Sequence, residues 1–157
     1  MPTDILKRTT FVVADAERSA RFYEDVFGWT IWYDNIVQAD KHFPPSGAPD
    51  RVEVRLIILQ AADEKIGKLG LLEYLVPPFD THSESNRDTI RFGEPILVIE
   101  TESVDGVFQR AQAAGANIVT SPVNWSVPAP DGSSTIQLRS VSLFDPNGIY
   151  MEISEHL

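Results

Sequence analysis

The apolar positions of this chain fall into one pattern that occurs twice. After the alternating stretch TTFVVA, Asp15 precedes a run in which Ala16, Phe22, Tyr23, Val26 and Phe27 recur at helical spacing, closed by Gly28. A side-chain oxygen at the start and a glycine at the end are the signals that begin and stop a helix. After PILVIET, Ser103 opens a second run with Val104, Val107, Phe108, Ala111 and Ala114, closed by Gly115. Each helix is followed by three strand-like stretches. In the first half these are WTIWYD, VEVRLIILQ and LGLLEYLV; in the second they are NIVTS, TIQLRSVSLF and GIYMEIS. The order β–α–β–β–β therefore repeats within the chain, which predicts an α+β fold of two like modules.

The segment PPFDTHSESNRDT, rich in proline, serine and charge, separates the halves. It sets the expected organisation: a first module over 1–80, a linker over 81–90 and a second module over 91–157. Two further polar stretches, QADKHFPPSGAPD and NWSVPAPDGSS, interrupt the halves at matching places and read as long loops. The second carries Trp125, a ring that packing alone explains poorly in such a loop.

Composition narrows the function classes. Thirteen basic against 23 acidic residues give a net charge of −10, which argues against nucleic acid or an anionic membrane as partner. Without cysteine there is no disulfide frame, thiolate nucleophile or thiolate zinc site. No apolar run reaches membrane length and no secretory signal pattern opens the chain, so a cytoplasmic protein is expected. His42, His82 and His156 stand in polar loops or at the C-terminus and read as surface residues.

The stretches VVADAERSARFYEDVFG and FDPNGIYMEI, supported by ETESVDGVFQRAQAAGA, resemble the vicinal oxygen chelate superfamily, which includes glyoxalase I, bleomycin-resistance proteins and extradiol dioxygenases. The resemblance runs from about Arg8 to Glu155. It implies two βαβββ modules forming a cup-like, open β-barrel with helices outside, a small-molecule ligand in the cup, and a homodimer. Metal enzymes of that group place a ligand on the first and last strand of each module, often a His and a Glu.

Carried over residue by residue, the last-strand positions fall on Glu73 and Glu152, and strand alternation is expected to turn both toward the cup. The first-strand positions fall on Arg8 and Ile96, with Glu94 reached by a two-residue slip. Two readings follow. In one, Glu73 and Glu152, with Glu94 as a third ligand, hold a hard cation such as Mg²⁺, Mn²⁺ or Ca²⁺. In the favoured one no cofactor is needed, because the Arg8 guanidinium, which cannot ligate a metal, pairs with the glutamates instead. Tyr150 shares the face of Glu152, and Trp125, Arg139 and Ile96 complete the expected ligand-binding set. Glu73 or Glu152 would then act as general base and Arg8 as electrophile in lyase- or isomerase-type chemistry. The alternative is a non-catalytic, ligand-sequestering protein of the resistance type.

Overall fold

The computed structural model describes residues 3–82 and 86–157. In chain order the elements are β1 (Arg8–Val12), α1 (Ala16–Phe27), β2 (Thr30–Ala39), β3 (Val52–Gln60), β4 (Lys68–Tyr74), β5 (Ile96–Glu100), α2 (Val104–Ala113), β6 (Asn117–Pro128), β7 (Thr135–Phe144) and β8 (Tyr150–His156). They form two compact units, Met1–Ser83 and Glu84–Leu157. Each unit is one four-stranded sheet with one helix, in strand order β1-β4-β3-β2 and β5-β8-β7-β6. The first and last strand of each unit pair in parallel, and the remaining pairs are antiparallel. The fold is α+β and built from two βαβββ modules; each sheet is open, not closed on itself. No described helix is long and apolar enough to cross a membrane.

Residues 83–85 of the expected linker lie outside the described residues. Its later part is bound to the second unit. Arg87 donates both to Glu94 (2.6 and 2.9 Å) and to the Gly148 carbonyl (2.9 Å), and its guanidinium lies 4.7 Å from the centre of the Phe144 ring. Asn117 returns a bond to the Arg87 carbonyl at 2.7 Å.

Both helices begin as their sequences dictate. The Asp15 side chain accepts from the Arg18 amide (2.8 Å) and the Ser103 hydroxyl accepts from the Gly106 amide (3.1 Å). Gly28 ends α1 at φ 70°, a left-handed conformation that costs glycine little. Phe22, Val26 and Ala111 are buried, whereas Phe108 is half-buried.

A second set of contacts, absent from any local signal, fastens each helix to its sheet. The Ala16 amide, first in α1, donates to Glu73 on β4 at 2.9 Å. The Val104 amide, first in α2, donates to Glu155 on β8 at 2.5 Å. A carboxylate at a helix N-terminus satisfies an amide that has no intrahelical partner and opposes the positive end of the helix dipole. Beside each carboxylate stands an arginine. Arg55, paired in register with Glu73, reaches Asp34 on β2 through two bonds (3.0 and 2.9 Å) and Glu17 in the first turn of α1 (3.1 Å). Arg139, paired in register with Glu155, reaches Asp105 in the first turn of α2 (3.2 and 2.8 Å) and Asn124 on β6 (2.9 Å). The arginine holds Asp34 below the usual carboxylate range, chiefly through hydrogen bonding.

These clasps fix which face of each sheet looks toward its helix. Glu73→Ala and Glu155→Ala should each destabilise their unit by about 1–2 kcal/mol, the scale of a lost helix cap. Glu73→Gln, whose amide oxygen still accepts from Ala16, should cost less. Urea unfolding followed by circular dichroism measures the difference.

Candidate functional site

The faces turned away from the helices are where the two units diverge. Register makes the positions comparable: Arg8 pairs with Lys68 and Thr10 with Gly70 in the first sheet, as Ile96 pairs with Tyr150 and Val98 with Glu152 in the second. The counterpart of Glu152 is thus Gly70, and the counterpart of Glu73 is Glu155. Glu73 does not look toward the open face. It lies on the helix side, with Leu69 and Leu71, holding the Ala16 amide. Alternation could not show this, because both faces of β4 are apolar: Leu69 and Leu71 on one, Leu72 and Tyr74 on the other. A better signal was present. Gly70 stands seven residues after Asp63, as Glu152 stands seven after Asp145. Both aspartates open a turn by accepting backbone amides: Asp63 from Lys65 and Ile66, Asp145 from Asn147 and Ile149.

In the first unit the open face is filled by its own apolar side chains. Leu56 faces Leu72 and Ile58 faces Gly70 across β3 and β4. Val54, Leu72 and Tyr74 form a small core there with Val37, Ala39 and Ala48. In the second unit the matching pairs are Ser140 with Ser154 and Ser142 with Glu152. Replacing leucine and isoleucine by serine opens space, and a pocket of ≈ 140 Å³ lies on this face. Its lining includes Thr120, Val123, Trp125, Ser142, Tyr150 and Glu152. An apolar cavity of about 150 Å³ accepts a benzene ring, so this pocket suits a single six-membered ring.

Trp125 does not sit in a loop. Strand β6 runs through to Pro128, and Trp125 pairs with Leu138 in β7. Its indole N–H donates to the Ser140 hydroxyl at 2.7 Å, and Ser140 is 2.7 Å from the Ser154 hydroxyl. Ser140, which lines the pocket and is itself backed by Ser154, therefore fixes the ring. Tyr150 packs against Phe144, ring centres 5.3 Å apart. Ser142 is buried and its hydroxyl has no hydrogen-bond partner. Glu152 is half-buried, and among the described residues no group pairs with its carboxylate. Ser140, Ser142 and Ser154 were not singled out from sequence, although hydroxyls alternating with Val141 and Leu143 in RSVSLF marked a polar face on a buried strand.

The other expected site residues of the second unit are not part of this pocket's lining. Arg139 is on the helix face, clasped to Asp105. Ile96 is on the open face of β5 beside Tyr150, outside the pocket lining. Glu94 precedes β5 and spends both oxygens on Arg87; that guanidinium, with the Arg91 amide, holds its carboxyl below the usual value. Arg8 is exposed on the open face of β1 opposite Lys68, five strand positions short of Glu73, or about 16 Å at a strand's rise per residue. Arg8 is therefore not the partner of Glu73.

The donor set does not fit the metal centre that the fold suggests. Of the four equivalent strand positions, Arg8, Gly70, Ile96 and Glu152, only Glu152 offers atoms that ligate a cation. Among the described residues no three His, Asp or Glu side chains gather at one place.

Residues 5–153 match the family model of the Glyoxalase/Bleomycin resistance protein/Dioxygenase superfamily, and the chain belongs to that superfamily. A glyoxalase family protein from Bacillus cereus superposes with a TM-score of 0.74 at 18% identity, over 100% of this chain and 99% of the other. The trypanothione-dependent glyoxalase I of Leishmania major superposes with a TM-score of 0.63 at 17% identity, over 98% and 87%. In sequence, the chain is 24% identical to a 4-hydroxyphenylpyruvate dioxygenase of Neurospora crassa over 90% of its own length but only 37% of that relative's.

Gly70 also explains why the first unit carries no counterpart to Glu152. A Cβ at this position would stand 2.5 Å from the Thr10 hydroxyl and 3.1 Å from both its Cβ and Cγ2. Gly70→Ala should therefore destabilise the protein by about 1–3 kcal/mol. Adding Thr10→Ala should recover much of that loss, a coupling that a double-mutant cycle in urea reads directly.

Proposed function

We propose that this protein binds a small, partly aromatic molecule in the pocket on the open face of the second sheet, and that it does so without a metal. The pocket's combination of an oriented indole, a tyrosine ring, a buried free hydroxyl and an unpaired carboxylate carries this reading. Ligand sites of this kind are mostly apolar with a few placed polar groups. The donor set supports metal independence, since one carboxylate does not make a coordination shell. The name of the Neurospora relative refers to a single-ring aromatic acid, which matches the pocket in size.

Sequestration of such a ligand is the primary function on this reading. Lyase- or isomerase-type chemistry has one specific support: Glu152, half-buried against the ligand space, is placed to take a proton from a bound molecule. Glu73, committed to the Ala16 amide on the helix side of its own sheet, has no part in it.

We also propose a symmetric homodimer. β1 and β5 are edge strands, and Val12, Ile96 and Val98 are exposed on them, Val98 by 74%. Apolar side chains on an unpaired edge call for cover. Light scattering at high concentration should give twice the chain mass, and a strict monomer would overturn this assembly.

The binding proposal is tested with 2-phenylethanol, a neutral single-ring probe, followed by calorimetry and by thermal shift. Saturable binding is expected, unchanged by a chelator, and weakened several-fold or more by Trp125→Ala. Loss of binding on chelation, or binding indifferent to Trp125, would overturn it.

A further inference from the structure

The charge of the ligand is also legible, given the binding reading above. Three features of one pocket converge on it. Glu152 presents a carboxylate for which the described residues supply neither a guanidinium, an ammonium nor an amide donor. Arginines near other acidic residues of this unit are committed elsewhere: Arg139 to Asp105 and Arg87 to Glu94. A half-buried carboxylate left without a donor is an open acceptor for a bound group that carries N–H donors.

The second feature is Ser142, the register partner of Glu152. Its hydroxyl is buried, lines the same pocket and has no bonding partner. Buried hydroxyls are ordinarily satisfied, so an orphan at a pocket wall marks a place where a bound molecule supplies the missing contact. The Ser142 oxygen accepts as readily as it donates. The carboxylate only accepts. An ammonium or amidinium serves both neighbours at once, because it carries two or more N–H donors, and unlike a hydroxyl it also offsets the charge of the carboxylate.

The third is the aromatic wall. Trp125 is held in place through its indole N–H, which bonds Ser140, so the ring lines the pocket as an aromatic wall with no free donor. Tyr150 stands on the same pocket. The faces of such rings attract cations.

We propose that the ligand is an organic cation: a protonated amine or amidinium on a single-ring or similarly small apolar body, its nitrogen between Glu152 and Ser142 and its apolar part against Trp125 and Tyr150. This places an ammonium where the metal enzymes of the fold hold a metal ion.

The experiment compares three probes with the same ring and chain: phenethylamine, 2-phenylethanol and 3-phenylpropionate. Calorimetry on the intact protein at low ionic strength should show phenethylamine binding roughly tenfold tighter than 2-phenylethanol, and 3-phenylpropionate weakest. Added salt should weaken the amine selectively. Glu152→Gln should abolish the amine's advantage over the alcohol, and a thermal melt close to that of the unaltered protein certifies that the variant is folded. Glu53→Gln, an equal charge change on the first sheet, should leave the amine preference unaltered. If the alcohol binds as well as the amine and both depend on Trp125, the cation proposal is wrong while the pocket stands. If no probe saturates, both readings fall.

Discussion

A helix's first amide held by a carboxylate on the neighbouring strand is the contact on which the rest of this structure depends. Glu73 does this for α1 and Glu155 for α2, each next to an arginine that ties the same strand face to the helix's first turn. Strand alternation then leaves no freedom. Once Glu73 and Glu155 face the helices, Leu72 and Ser154 must face the other way, and so must Gly70 and Glu152. A slip of one residue would bury Glu152 under α2 and expose Ile153. The clasp thus sets the register that delivers Glu152 to the open face.

Given one scaffold used twice, the difference between the open faces of the two units comes down to a few side chains. Leu56, Ile58 and Leu72 close the open face of the first sheet, and Ser140, Ser142 and Ser154 clear the corresponding space in the second. Each apolar-to-serine difference forgoes buried apolar area worth roughly 1.5–3 kcal/mol per side chain. The second unit therefore gives up packing to keep a pocket, and in Ser142 it tolerates an unsatisfied hydroxyl as well. Such local departures from good packing mark functional surfaces, since nothing about folding requires them.

Much of the architecture was legible in the sequence. Helix limits followed from Asp15, Gly28 and Ser103, and the repeat showed through the order of apolar runs. Glu152 was legible too, since the Asp145 turn fixes its distance and its strand has only one fully apolar face. Glu73 was misread because β4 is apolar on both faces, so nothing local says which side meets the helix. Arg139 and Glu155 were hidden for the same reason: their partners, Asp105 and the Val104 amide, are tens of residues away in the chain. Trp125 was placed in a loop because the stretch NWSVPAPDGSS, rich in proline and serine, suggested a break. Strand β6 runs through Trp125 to Pro128 as an edge strand, where a missing N–H costs little.

Amide hydrogen exchange at Ala16 and Val104 tests the clasp most directly. First-turn amides ordinarily exchange close to the open-chain rate because no backbone acceptor protects them. If Glu73 and Glu155 hold them, both amides exchange slowly in the native protein. Glu73→Ala then releases Ala16 alone, and Glu152→Ala releases neither. Fast exchange at both amides in the unaltered protein, or release of Val104 on loss of Glu152, would contradict the account.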